Sequence, residues 1–259
     1  MTNVLILGDT HCGHKMAITH PDFLKRNRPE SKIVMPLWEW WQSEHKNQKY
    51  DFVLHAGDVI DGESKKDYSH LLAPDIEEQI DIARAVLESI PTKQTTKFRF
   101  VYGSPYHAGN VMDYETIVAH EFGDKGIATE RLLQIDGVKF HMSHTPGGKT
   151  TTPVGGDIAI RKQMIWNMIE KAINDIPMAD FIVRAHIHEY RAVESIRQKA
   201  FSVPCMVIGN PDYNRHARRI AGGFYDLGFV TMKIDNGKVI EFNKHQFKVN
   251  IKKSYEVLV

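Results

Sequence analysis

Val4-Leu5-Ile6-Leu7-Gly8-Asp9-Thr10-His11 is the stretch on which the fold turns. Four aliphatic residues in a row read as a buried strand, and the glycine marks where it gives way to a polar turn. An Asp-x-His pair at period two puts both side chains on one side if the backbone stays extended, so Asp9 and His11 can address a single site. The pattern recurs along the chain. Phe52 to Leu54 runs on to Gly57-Asp58-Val59-Ile60-Asp61-Gly62, and Phe98 to Tyr102 to Gly103-Ser104-Pro105-Tyr106-His107. Val138 to Met142 ends in Ser143-His144-Thr145-Pro146-Gly147-Gly148, and Phe181 to Val183 in Ala185-His186-Ile187-His188. Every strand end carries a carboxylate or an imidazole, and strand-end loops are where sheet proteins bring distant segments into one site.

Between these runs lie amphipathic helices. Asp75 caps a segment carrying Ile76, Ile80, Ala83, Leu87 and Ile90, which Pro91 stops. Asp157 opens another, with Ile158, Ile165, Ile169, Ala172 and Ile176 on the side expected to be buried and Pro177 closing it. A third is expected to start at Pro36 and to carry Leu37, Trp38 and Trp41 as core residues. Asp136-Gly137 and Asn236-Gly237 sit between alternating segments and predict tight hairpins, so the sheets are at least partly antiparallel. No repeat or long linker divides the chain, which reads as one α/β (α+β) domain over 1–259. Phe229 to Val259 reads as closing strands, where Phe242, Phe247 and the 255–259 end are candidates for an oligomer contact if exposed.

Composition narrows the function classes. Of 259 residues 42% are hydrophobic, ample for a core, and 33 Lys plus Arg against 32 Asp plus Glu leave no global pull toward nucleic acid or anionic membranes. Two isolated cysteines, Cys12 and Cys205, indicate neither a disulfide framework nor a zinc knuckle. The N-terminus lacks the parts of a signal peptide and no apolar stretch approaches the ~20 residues that span a bilayer, so a soluble cytoplasmic protein is expected. The 14 histidines are the unusual feature. Imidazole and carboxylate together favour first-row metals such as Mn, Fe, Zn, Co or Ni, whereas an all-oxygen set suggests Mg or Ca.

Taken in order, these blocks resemble the calcineurin-like metallophosphoesterase superfamily, whose motifs run D-x-H, G-D-x-x-[DE], G-N-H-[DE], a lone histidine and G-H-x-H. The resemblance spans Asp9 to His188 and implies two facing mixed β-sheets flanked by helices in a four-layer sandwich, with two divalent metals, manganese first, at the strand ends. By matching block it implies Asp9, His11 and His188 on one metal, His144 and His186 on the other, and Asp58 bridging both as part of the catalytic machinery. Asp61 then supports the loop or orients a ligand. Ala185 departs from the glycine of the last motif. The third block departs further, since Ser104 stands for the asparagine and His107 lies three residues beyond it, as in several phage-type members. His107 can therefore serve as a substitute metal ligand or as the acid that protonates the leaving group, and His14 is the second candidate acid or a contact to substrate phosphate.

The implied activity is phosphoester hydrolysis. Tyr213, Arg215 and Arg218 lie in the densest cationic segment. Arginine forks suit phosphate and tyrosine can stack on a base, so this segment, if it folds back over the metals rather than forming a solvated basic loop, favours a phosphodiester of a nucleotide or nucleic acid over a phosphomonoester. A non-catalytic scaffold of the same fold, as in a retromer subunit, is the reading from a different class. His55 and His141 are expected to be core or supporting groups, and the oligomeric state stays open.

Overall fold

The computed structural model describes residues 1–24, 29–63, 70–108, 113–147, 157–209 and 225–249. Strand β1 (Thr2–Leu7) leads through a 3₁₀ turn at Pro21–Phe23 to helix α1 (Ser31–His45), β2 (Tyr50–His55), α2 (Ile76–Glu88) and β3 (Thr92–Phe100). Two short helices, α3 (Pro105–Ala108) and α4 (Tyr114–Glu121), precede the hairpin of β4 (Glu130–Ile135) and β5 (Val138–Ser143). Helix α5 (Ile158–Asn174) follows, then β6 (Phe181–Arg184), β7 (Arg191–Glu194), β8 (Lys199–Ser202), β9 (Leu227–Asp235) and β10 (Lys238–Phe247).

The strands form two mixed five-stranded sheets, ordered β10-β9-β1-β2-β3 and β4-β5-β6-β8-β7. In the first, β1, β2 and β3 are parallel and β9 and β10 antiparallel. In the second, β5, β6 and β8 are parallel, and β4 and β7 run against their neighbours. Both hairpin turns hold positive φ at both central residues, Asp136 and Gly137 in one and Asn236 and Gly237 in the other. That geometry matches the twist of the flanking strands and suits the Asp-Gly and Asn-Gly pairs.

Strand β1 shows why the layers stack as they do. Val4 and Ile6 join Phe140, Met142, Val183 and Phe201 in the core between the sheets. Leu5 and Leu7 point the other way, onto Trp41 of α1 and Ile80, Ala83 and Leu87 of α2. A strand that is apolar at consecutive positions is thus buried on both faces. On the outer side of the second sheet, Ile160 and Met164 of α5 cover Ile182 and Ala200.

Two helix expectations are corrected. Helix α1 begins at Ser31 and carries Pro36 within it. Pro36 sits on the exposed side of the helix, where the missing backbone N–H leaves one helical hydrogen bond unmade. In α5 the predicted apolar face is the outer one: Ile158 (44% exposed), Ile165 (48%) and Ile169 (36%) face solvent, while Ala159, Ile160, Met164 and Asn167 are buried. Asn167 accepts from Ala179 N at 2.9 Å and from Gln198 Nε2 at 2.8 Å, so a buried polar anchor selects the face against hydrophobic periodicity. Phe242 packs at the inter-sheet core and Phe247 beside α1, which occupies both, and 255–259 lies outside the described residues. Among the described residues no helix is long and apolar enough to cross a membrane.

Candidate metal centre

Parallel strands carry their C-terminal ends to one edge, where the turns after β1, β2, β5 and β6 meet. The pairs do not converge through extended backbone, as period two suggests. Asp9 (φ 48°), His11 (φ 42°), Asp58 (φ 52°), His186 (φ 71°) and His188 (φ 57°) all occupy the left-handed region. Each costs a non-glycine residue about 1–3 kcal/mol, and such strain persists only where the surroundings over-determine the geometry. Here the surroundings are backbone hydrogen bonds between the turns, from Asp9 N to the Gly57 carbonyl (2.9 Å), His11 N to Asp58 (3.0 Å) and Ala185 N to His144 (2.8 Å).

Two buried carboxylates form the floor. Asp9 Oδ1 lies 3.5 Å from His188 Nε2, 3.8 Å from His11 Nε2 and 3.9 Å from His144 Nε2, yet this fully buried oxygen has no hydrogen-bond partner. Asp58 Oδ2 is 3.0 Å from His144 Nε2, 3.8 Å from His11 Nε2 and 4.0 Å from His107 Nε2. Its other oxygen accepts from Ser104 N at 2.7 Å and Ser104 Oγ at 3.2 Å. Asp58 therefore stands between the histidine sets. Three groups offer donor atoms close enough to share an ion: Asp9, His11 and His188; Asp58, His144 and His186; and His11, Asp58 and His107.

Three of the imidazoles are held from behind, while among the described residues the buried Nδ1 of His188 has no hydrogen-bond partner. His11 Nδ1–H donates to Asp61 Oδ1 at 3.1 Å, and His144 Nδ1–H to the Ala56 carbonyl at 2.8 Å. His107 Nδ1–H donates to the Asp61 carbonyl. A carbonyl only accepts, so in the neutral ring this fixes the tautomer and turns the Nε2 lone pair toward the cluster, the arrangement typical of metal-ligating histidines. An orphaned carboxylate oxygen ringed by imidazole nitrogens also suits a cation, so the residues fit a metal.

Charge in the metal-free cluster follows the same geometry. Burial alone would raise the Asp9 carboxyl, but His188 and His144 hold it at about 2, and Asp58 lies well below the usual range through His144, His107 and His11. Burial would lower His11 and His144, but the hydrogen bond to Asp61 and the neighbouring carboxylates lift His11 to about 9, and Asp58 lifts His144 to about 10. His107 moves down instead, through burial and the nearby His11.

Supporting residues divide into those the sequence pointed to and those it did not. Asp61 backs His11 and sits 3.3 Å from His70 Nε2. His55 is fully buried, with Nε2–H donating to Thr10 Oγ1 (3.0 Å) and Nδ1 accepting from Gly57 N (3.2 Å), so it props both acidic turns. His141 accepts from Arg184 Nη2 at 3.3 Å and donates to Glu130, away from the cluster. His14 is buried, its Nδ1 accepting from Met16 N at 3.0 Å, and it is not among the converging donors. Tyr213, Arg215 and Arg218 lie outside the described residues. Ala185 faces Gly8, where an added Cβ would come within 3.2 Å of the Ala185 Cβ.

Glu115 and Gln79 escaped the sequence reading. Glu115, 1% exposed, accepts from Val59 N at 2.9 Å and Gly103 N at 2.5 Å, tying the Asp58 turn to the Ser104–His107 turn. Burial and Asp58 raise its carboxyl to about 7. Gln79 brackets Gly62 through both its backbone groups. On a helix one buried polar residue carries no periodic signal, and the acid at the start of α4 reads equally well as a helix-dipole charge. Glycines let the turns close: a Cβ on Gly57 would lie 2.7 Å from Gly103 Cα, and one on Gly62 would strike the His107 backbone.

No protein-family model and no curated protein matches the chain. Over nearly its whole length it is similar in structure to a phosphodiesterase described as a novel archaeal one (13% identity, TM-score 0.48, 95% of this chain and 100% of that one). It is also similar to zinc-complexed Vps29 from Entamoeba histolytica (11%, 0.45, 96% and 100%). A predicted phosphoesterase from Streptococcus pneumoniae TIGR4 is another such structure (11%, 0.40, 95% and 98%).

Proposed function

We propose that the chain is a metal-dependent phosphoester hydrolase of the calcineurin-like metallophosphoesterase type, acting through a dinuclear centre on a phosphodiester of a nucleotide or nucleic acid. The observation that carries this is the pair of buried carboxylates, Asp9 and Asp58, facing converging imidazole nitrogens, those of His11 and His144 being tied at their far sides to acceptors. Asp9, His11 and His188 would hold one ion, His144 and His186 the other, and Asp58 would lie between them. Two divalent ions, with manganese as the first choice, supply Lewis acidity and a water activated near neutral pH.

The chain's own residues do the rest. Asp61 keeps His11 in the Nδ1–H tautomer, and Ala56 does the same for His144. Ser104 holds Asp58 from one side, its N and Oγ on Oδ1 and its Oγ also 3.3 Å from Oδ2, the oxygen that faces the histidines. His107 presents Nε2 to Asp58 from the more open side, where its side chain is 17% exposed. It takes the donor place beside His11 and Asp58 in this reading, because burial keeps the ring neutral and Asp61 points its lone pair inward. Arg215 and Arg218 are assigned to substrate phosphate and Tyr213 to a base on chemical grounds alone.

The test compares manganese-loaded protein on bis-p-nitrophenyl phosphate and p-nitrophenyl phosphate, with Asp58→Asn and His107→Ala alongside. Diester turnover lost in Asp58→Asn is the expected result. Metal lost in His107→Ala supports the ligand role, whereas full metal with a slower reaction assigns His107 to proton delivery. Preferential monoester turnover would replace the diester reading, and bound metal without hydrolysis of either ester would support a scaffold.

A further inference from the structure

Asp61 makes a second contact that the proposed chemistry does not use. Its Oδ1 meets His11 Nδ1 at 3.1 Å and its Oδ2 lies 3.3 Å from His70 Nε2, so each oxygen of this buried carboxylate faces an imidazole. An ionised carboxylate only accepts, so His70 Nε2 carries the hydrogen in this pair. The torsion that turns an aspartate carboxylate is broad, and a hydrogen bond to one oxygen leaves the group free to swing. A second bond, to the opposite oxygen, fixes its plane. With His11 read as a metal ligand, as proposed above, we infer that His70 is a positioning residue of the metal centre, which acts through Asp61 to hold His11 from behind and keep its Nε2 turned to the cluster.

The backbone around His70 is tied to the turn it serves. Lys15 N donates to the His70 carbonyl at 2.9 Å, and Leu72 N and Ala73 N both donate to the Gly13 carbonyl, at 2.7 and 3.2 Å. Asp61 N donates to the Cys12 carbonyl at 3.0 Å, so the His11 turn, Asp61 and the segment from His70 to Ala73 form one hydrogen-bonded frame. These are backbone bonds, so His70 is placed by the fold rather than by an ion. Its ring also lies 5.5 Å from that of the buried His14, tilted by 35°. Burial opposes ionisation of Asp61, but the hydrogen bonds from His11 and His70 hold its carboxyl well below the usual range. Among the described residues His70 is not one of the donors that converge on an ion, since Asp61 stands between it and His11. With its side chain 22% exposed, His70 is the outer member of the series and can be replaced without opening the core.

The experiment uses the full chain with His70→Gln, which keeps a donor close to the place of Nε2, and with His70→Phe, which keeps a ring and removes the donor. In the metal-free protein, NMR should show the His11 Nδ1–H signal protected from exchange in the parent and in His70→Gln, and lost in His70→Phe. By chelator competition, manganese affinity should fall about 10-fold in His70→Phe, as for other outer partners of ligand histidines, and stay close to the parent's in His70→Gln. On an Asp61→Asn background, His70→Phe should cost no more than about a further twofold, because residues that act through one contact do not add. Undiminished affinity in His70→Phe, a loss as large in His70→Gln as in His70→Phe, or full additivity with Asp61→Asn would each overturn the inference. Neither readout needs turnover: a chain that binds manganese yet cleaves no ester fails the hydrolase reading alone, and one whose affinity ignores His70→Phe fails this inference alone.

Discussion

Asp61→Asn separates support of the metal centre from ligation, because Asp61 touches His11 from behind. Its carboxylate accepts from His11 Nδ1 at 3.1 Å and is the foremost of the groups that lift His11 from 6.5 to about 9 against burial. That lift corresponds to about 3 kcal/mol favouring protonated His11 over the neutral ring, shared among Asp61, Asp58 and Asp9. Asparagine keeps the volume and an acceptor for Nδ1–H but removes the charge. A ligand histidine stripped of its carboxylate support loses about 10- to 100-fold in metal affinity, or about 1.4 to 2.7 kcal/mol. Chelator competition with manganese measures the loss, and NMR titration of the metal-free variant should find His11 titrating well below 9. Affinity within twofold of the parent, in a variant with an unchanged unfolding temperature, would refute the supporting role of Asp61 and leave His11 held by its backbone alone.

Other perturbations probe the turns and the coupled charges. Glu115→Ala leaves the buried N–H groups of Val59 and Gly103 without acceptors, at about 1–3 kcal/mol each, and thermal unfolding should fall by roughly 5–20 °C. Gly103→Ala would drive a methyl group into Asp58, so the variant should lose metal even if it folds, as equilibrium dialysis will show. In the metal-free protein His11 and His144 titrate at about 9 and 10, above the 6.5 of the unfolded chain, so their stabilisation is fully present below pH 6.5 and disappears as pH rises through 9 to 10. Denaturant melts should therefore show metal-free stability falling from pH 7 to 10, with manganese reversing the fall. The same protonated histidines must lose their protons to bind, so calorimetry at pH 7.5 in buffers of different ionisation enthalpy should show proton release on metal addition.

Much of the fold is legible because its signals are local. The apolar runs at β1, β2, β5 and β6, the Asp75 cap and the two glycine turns each arise from contacts within a few residues, and each lies where the pattern placed it. Strands β7 and β8 hold at most two apolar residues in a row, against three in the equally short β6, so no apolar run announces them. The buried face of α5 departs from its apolar face for a different reason. Periodicity reports which side is apolar, and the side that is buried was chosen by Asn167 bonding Ala179 and Gln198 across the fold.

At the candidate centre the sequence alone supplied the donor types and their order along the chain: carboxylates and imidazoles at successive strand ends. Only the tertiary structure decided how they converge. Asp9, His11, Asp58, His186 and His188 reach one another through left-handed backbone rather than extended strands, a conformation residue spacing does not encode. It also decided that His107 faces Asp58 while His14, in an equally suggestive motif, is turned into the loop. Glu115 binds two turns 56 and 12 residues away, and bonds of that reach exist only once β2, β3 and α4 have packed.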